Sequence, residues 1–122
     1  MPRVTTGSMT SQLHVAMLGA GSMMGLPMAR NIGRSGTPVR ARNRATEKAK
    51  ALEDHGVEVF DTPREAAAGA NVILTMLADA DAVIGAVEKA VQKSSDDVVW
   101  FQMSTIGEAG TERCVEFAQA VR

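Results

Sequence analysis

The stretch Met17-Leu18-Gly19-Ala20-Gly21-Ser22-Met23-Met24-Gly25 decides the fold of this 122-residue chain. It ends a short apolar run, His14-Val15-Ala16-Met17-Leu18, which reads as a buried strand. It opens a segment in which Met24, Met28 and Ile32 recur every four residues, the spacing of a helix over residues 22–34. Pro27 sits within the first turn or so, where a missing N–H costs least, and Gly33 and Gly36 close the helix. A glycine loop in that context carries a specific chemistry. Gly19 permits a tight turn, and Gly21 lets the backbone approach a pyrophosphate. The helix N-terminus supplies unpaired N–H groups and partial positive charge. The usual dinucleotide pattern is G-x-G-x-x-G, whereas Gly25 here comes one residue late. One extra residue rotates everything after it by about 100° of helix. Either the loop bulges or Gly25 is not the glycine that packs helix on strand. A plain strand-to-helix turn stays open beside a dinucleotide loop.

Working outward, residues 37–42 read as a second strand. Thr46 caps a helix to about His55, with Gly56 as its stop. A third strand spans residues 57–60, and Thr62 caps a short helix from Pro63 to Gly69. Residues 71–77 (NVILTML) form the strongest strand, a continuous apolar run suited to burial on both faces. Asp79 or Asp81 caps the next helix, whose inward face is Val83, Ile84, Val87 and Val91. A fifth strand is expected over residues 97–103 and a last helix over 107–121, where Cys114, Val115, Phe117 and Ala118 are apolar. Strict alternation with short loops predicts an α/β fold, a doubly wound parallel sheet with helices on both faces. The expected organisation is a polar arm or tag at residues 1–12 and one dinucleotide-binding domain at 13–122.

Composition narrows the function. Apolar residues make up 45% and charged residues 22%, which excludes disordered and collagen-like classes. A single Cys allows no internal disulfide and fits a reducing, cytoplasmic setting. With only His14 and His55 beside it, no four-ligand zinc site is expected. No apolar run approaches the roughly 18 residues of a membrane span, and residues 1–12 lack the apolar core of a signal peptide. Thirteen basic and fourteen acidic residues give a net charge of −1, but unevenly. Arg3, Arg30, Arg34, Arg40, Arg42 and Arg44 precede the first acid, Glu47. That is either a chance distribution or a site for a phosphorylated ligand in the first third. Three Phe, one Trp and no Tyr give little to stack bases, so nucleic acid is not an expected partner.

The tip of the second strand separates two cofactors. An acid roughly 20 residues past the loop would bind the adenosine ribose of NAD. Arg40-Ala41-Arg42-Asn43-Arg44-Ala45-Thr46 contains none. Asn43 can bond a ribose hydroxyl. Arg44, helped by Arg42, can pair with a 2′-phosphate through two charge-assisted hydrogen bonds. A solvated basic turn is the plain alternative. The residue types favour NADP over NAD.

Four ordered motifs together resemble the β-hydroxyacid dehydrogenase family, whose members are 3-hydroxyisobutyrate dehydrogenase-like. They are the glycine loop, Asn43-Arg44-Ala45-Thr46-Glu47-Lys48-Ala49, Met76-Leu77-Ala78-Asp79 and Met103-Ser104-Thr105-Ile106. The family opening G-x-G-x-M-G-x-x-M-A-x-N-L matches Gly19, Gly21, Met24, Gly25, Met28, Ala29, Asn31 and Ile32 once one residue near Ser22 and Met23 is inserted. The resemblance covers residues 13–122. It implies a Rossmann-type NAD(P)-binding domain, truncated before an all-helical second domain. It also implies hydride transfer between NAD(P) and a small β-hydroxyacid or its semialdehyde.

Carried over by position, Gly19, Ala20, Gly21, Ser22, Met23, Met24 and Gly25 hold the pyrophosphate, and Asn43, Arg44 and Thr46 hold the adenosine end. Met76, Leu77 and Ala78 line the cofactor, and Val83 flanks the adenine. Ser104 lies near the nicotinamide and, with Thr105, binds a substrate carboxylate. The family's D-x-S-T-x-x-P is altered, with Gln102 in place of Asp and Glu108 in place of Pro. The family's general acid/base Lys, in G-x-x-x-K-x-x-N, belongs to a helix beyond this domain. Lys48, Lys50, Lys89 and Lys93 do not fit that context and read as surface side chains, so no catalytic residue is expected here. Cys114 reads as a core residue. The resemblance allows a homo-oligomer. The alternative is a free-standing, non-catalytic dinucleotide-binding or regulatory module.

Overall fold

The computed structural model describes residues 13–20, 24–42, 51–94 and 97–121. Five strands form one parallel sheet: β1 (Val15–Leu18), β2 (Val39–Arg42), β3 (Val57–Phe60), β4 (Val72–Thr75) and β5 (Val99–Gln102). Their spatial order is β3-β2-β1-β4-β5. Each strand pairs in register over its four residues, so Val15 lies between Val39 and Val72, and Leu18 between Arg42 and Thr75. The chain winds one way from β1 through β2 to β3, then crosses back to β4 and β5. The crevice between the diverging halves opens at the carboxyl ends of β1 and β4, where ligands gather in such sheets.

β1 is central and buried on both faces because all four of its residues are apolar. Alternation sends Ala16 and Leu18 to one face and Val15 and Met17 to the other. On the first face they meet Ile73, Val83 and Val87, packed against α3 (Ala80–Ala90) and α4 (Gly107–Ala120). On the second they meet Val39, Ala41, Leu52 and Val57, under α1 (Gly25–Arg34) and a tight turn of helix at Ala51–His55. Burying a side chain such as Leu18 or Ile73 contributes roughly 1.5–3 kcal/mol.

The described elements follow the expected alternation, with strand ends trimmed by one or two residues and the helix expected from Pro63 to Gly69 ending at Ala66; of the helix expected from Thr46 to His55 only the turn Ala51–His55 lies within the described residues. The fourth strand stops at Thr75, two residues short of the expected end, with the Met76 N–H giving a last bond to the Leu18 carbonyl at 3.0 Å. The short helix α2 (Pro63–Ala66) starts as read, with Thr62 accepting from the Glu65 N–H at 3.1 Å and Pro63 at its first position. Of the two candidate caps for α3, Asp79 takes the role: its Oδ1 accepts from the Ala82 N–H at 2.8 Å. Asp81 pairs instead with Arg113 on α4, at 2.6 Å on the exposed surface. Two apolar positions differ from their expected burial. Met24 precedes α1 and is exposed, so the helix buries Ala29 and leans on Leu26, Met28 and Ile32 instead. Val115 of α4 is exposed while Cys114 beside it is buried. Gly33 lies inside α1 rather than ending it, and a Cβ there would come within 2.5 Å of the His55 carbonyl oxygen.

Candidate functional site at the carboxyl ends of the strands

At Gly19 the chain leaves β1 with φ of +97°. The Gly19 and Ala20 N–H groups both donate to the Arg42 carbonyl, at 2.7 and 3.3 Å. A Cβ on Gly19 would overlap the Met76 carbonyl oxygen. The first glycine of the loop is therefore fixed by close packing of β1 against the end of β4, whatever else it binds. Ala20 is fully buried with its amide committed to Arg42, and Gly25 is buried at the start of α1. Met24, at the N-cap position, makes no side-chain capping hydrogen bond.

Period two places Arg40 and Arg42 on the same face of β2. Arg40 is consumed by the fold. Its Nε and Nη2 donate to the Ala66 and Glu65 carbonyls, both at 3.0 Å, at the end of α2. Its guanidinium lies 4.2 Å from the centre of the Phe60 ring, and Glu58 is 3.9 Å away. Arg42, two residues on, has passed beyond those carbonyls. Its Nε is buried and has no hydrogen-bond partner among the described residues. A buried N–H left unpaired costs about 1–3 kcal/mol, so this donor calls for an acceptor.

Arg42 stands in the wall of a cavity of about 370 Å³, large enough for part of a nucleotide. Leu18 and Gly19 form its floor at the end of β1, with Leu77 from the β4–α3 loop. Pro63 closes one side, and Asp81, Ala82, Gly85, Ala86 and Lys89 of α3 form the other. A Cβ on Gly85 would meet nothing within 4 Å. A larger depression of about 630 Å³, between Arg64, Glu65, Gln92 and Lys93, lies on the helical flank and touches the cavity only through Lys89.

The two loops on the other side of the crevice are tied together. The Leu77 N–H donates to Ser104 Oγ at 2.7 Å. Ser104 is buried and Thr105 and Ala78 are exposed. The structure thus gathers Gly19, Met76, Leu77 and Ser104 at the strand ends. It does not bring Val83 there: that side chain is fully buried among Ala16, Ile73 and Val87. One step around the helix, Ala82, Gly85, Ala86 and Lys89 face the cavity instead. They lie about 100° round the helix from the Val83–Val87 stripe, and being small they carry no periodic signal in the sequence. Lys89, read from sequence as a surface residue, is exposed yet sits at the cavity wall. Gly21, Ser22, Met23, Asn43, Arg44 and Thr46 lie outside the described residues. Cys114 is packed in the core, and burial pushes its thiol above the usual range.

The family model for the NAD binding domain of 6-phosphogluconate dehydrogenase matches residues 14–122. The chain belongs to that family. A probable 3-hydroxyisobutyrate dehydrogenase of Mycobacterium tuberculosis is 34% identical over 92 residues, covering 75% of this chain and 31% of that protein. An uncharacterized oxidoreductase of Bacillus subtilis, YfjR, is 41% identical over 71 residues, covering 58% of this chain and 24% of that protein. The structure of M. tuberculosis 3-hydroxyisobutyrate dehydrogenase with L-serine superposes with a TM-score of 0.81 at 30% identity, over 88% of this chain and 37% of that one. The chain therefore spans about a third or less of the length of the curated relatives it matches, and it corresponds to their nucleotide-binding domain. The cavity suits the group that the family name implies. It brings the Arg42 side chain to its wall, a partner for an anionic or ribose oxygen, and leaves open space at Gly85 beside Ala82 and Ala86 for a flat ring.

Proposed function

We propose that the chain is the NADP-binding part of an oxidoreductase that moves a hydride between NADP and a small β-hydroxyacid or its semialdehyde. The observation that carries this reading is the cavity at the ends of β1 and β2, with Arg42 in its wall, whose buried Nε has no partner among the described residues. When bound, the nicotinamide supplies the hydride. The chain's own residues bind and orient. Gly19 to Gly25 receive the pyrophosphate. Asn43, Arg44 and Thr46, joined by Arg42 and Lys89, hold the adenosine end. Met76, Leu77 and Ala78 lie along the cofactor, and Ser104 and Thr105 face the substrate carboxylate. No general acid is assigned within residues 1–122, and such a group typically contributes about 10²–10⁴ in rate. Binding without useful turnover is therefore expected of this chain. A homo-oligomer belongs to the same reading, supported by the half-exposed Val99, Phe101 and Met103 on the outer strand. So does a cytoplasmic setting, supported by the single buried thiol.

The test is a titration of the chain with NADPH and NADH. NADPH is expected to bind more tightly. Arg44→Ala should narrow the ratio of the two affinities by about tenfold or more, the worth of a charge-assisted bond to a phosphate. An unchanged ratio removes Arg44 from the assignment, and no binding of either nucleotide overturns the function.

A further inference from the structure

Gln102 stands where the family motif carries Asp, and its surroundings give that change a purpose. Its side chain closes a small ring with the backbone of Ser104. Gln102 Oε1 accepts from the Ser104 N–H at 2.7 Å, and Gln102 Nε2 donates to the Ser104 carbonyl at 3.0 Å. The orientation of the amide is fixed from behind. The Trp100 indole N–H, which can only donate, gives its proton to Thr75 Oγ1 at 3.0 Å. The Thr75 hydroxyl donates onward to Gln102 Oε1 at 3.2 Å. Thr75 is fully buried, so the chain from Trp100 to Ser104 has one direction. Ser104 Oγ then accepts from the Leu77 N–H. One amide thus fixes the loop after β5 and, through Ser104, the loop after β4.

We infer that Gln102 is a positioning residue for the nicotinamide end of the cofactor site, and that an uncharged side chain able both to donate and to accept is required there. The inference rests on the proposed cofactor function. An ionised carboxylate can take the Ser104 N–H and the Thr75 O–H but would face the Ser104 carbonyl with no proton to give. Gln102→Glu preserves the shape and poses that question. The facing Ser104 carbonyl disfavours its charged form, so its carboxyl is expected to titrate above the usual range. The protonated acid restores the donor; the ionised acid loses it. Among the described residues, Cys114 is the one titratable group lining the neighbouring cavity between β5 and α4, beside Trp100, Thr111, Val115 and Ala118. Its thiol is raised, so it stays neutral across the range used.

The experiment measures the 122-residue chain and its Gln102→Glu variant between pH 5 and pH 8. One arm follows amide exchange protection of Leu77 and Ser104 relative to the wild type without ligand. The other follows affinity for NADPH and for 2′,5′-ADP, which lacks the nicotinamide. The variant should match wild type at pH 5. At pH 8 it should lose about tenfold in protection at both amides and about tenfold in NADPH affinity, with 2′,5′-ADP affinity unchanged. A variant indifferent to pH in both arms, or one that loses both ligands equally, overturns the inference. A wild-type chain that binds 2′,5′-ADP but gains nothing from the nicotinamide half also overturns it. Failure to bind either ligand refutes the proposed function itself, and the positioning role with it. If Gln102→Glu does not fold, Trp100→Phe carries the same test. It removes the donor that orients Thr75 and should lower Ser104 protection severalfold at every pH; unchanged protection overturns the inference.

Discussion

Gly19 meets two constraints at one position. Its φ of +97° disfavours any side chain, and the Met76 carbonyl fills the place of a Cβ. Gly19→Ala is therefore expected to cost about 2–4 kcal/mol in urea denaturation, through strain and displacement of β4 from β1. A loss below about 0.5 kcal/mol would show that the strand end shifts freely. The sequence marked Gly19 as a ligand-loop glycine; the structure adds that the sheet itself needs it. The same scale separates the arginines. Arg40 and Arg42 share one face of β2, and the position of the α2 carbonyls consumes the first and leaves the Nε of the second without a partner among the described residues. Gln102 reads in sequence as a departure from a motif, and its two bonds to Ser104 emerge only from the path of the loop.

α3 was legible in the sequence because local rules set its start. Asp79 caps it, and Val83 and Val87 repeat at helical spacing on its buried face. Asp79→Ala should lower stability by about 1 kcal/mol. Asp81→Ala, which removes an exposed ion pair with Arg113, should leave the melting temperature unchanged within error. Equal losses in the two variants would reverse the choice of cap. The opposite face of α3 gives a sharper prediction. Gly85 is a helix-interior glycine with open space around its missing side chain. Gly85→Ala should raise stability by roughly 0.5–1 kcal/mol, and Gly85→Leu, reaching into the cavity, should weaken NADPH binding while the chain stays folded. Unimpaired binding by Gly85→Leu would place the nucleotide elsewhere. That face was less legible, because small residues on a helix give no periodic signal until a neighbouring strand end shows what they enclose.

For the molecule as a whole, the core is one sheet seen from two sides, and Cys114 belongs to the side bearing α3 and α4. Burial raises its thiol. An acid raised in the folded state contributes stability in full below its unfolded value, about 8.5, and the contribution fades as pH rises above it. Stability should accordingly decline between pH 8 and pH 10 by more in the wild type than in Cys114→Ala. A thiol reagent at pH 8 should label Cys114 only as fast as the domain opens. Rapid labelling of the folded chain would contradict its burial.

The order of the five strands, the helices between β3 and β5 and the parallel sheet followed from the sequence alone. They rest on local signals, namely apolar runs of strand length, Thr and Asp caps, and glycines at turns. The identity of the cavity walls did not. Val83 and Ala82 are neighbours in sequence, yet one is sealed in the core and the other opens on the crevice. Which of them a ligand can reach depends on where α3 lies across the sheet. That depends in turn on long-range packing of Ala16, Leu18 and Ile73 beneath it, a contact between residues far apart in the chain that no local pattern encodes.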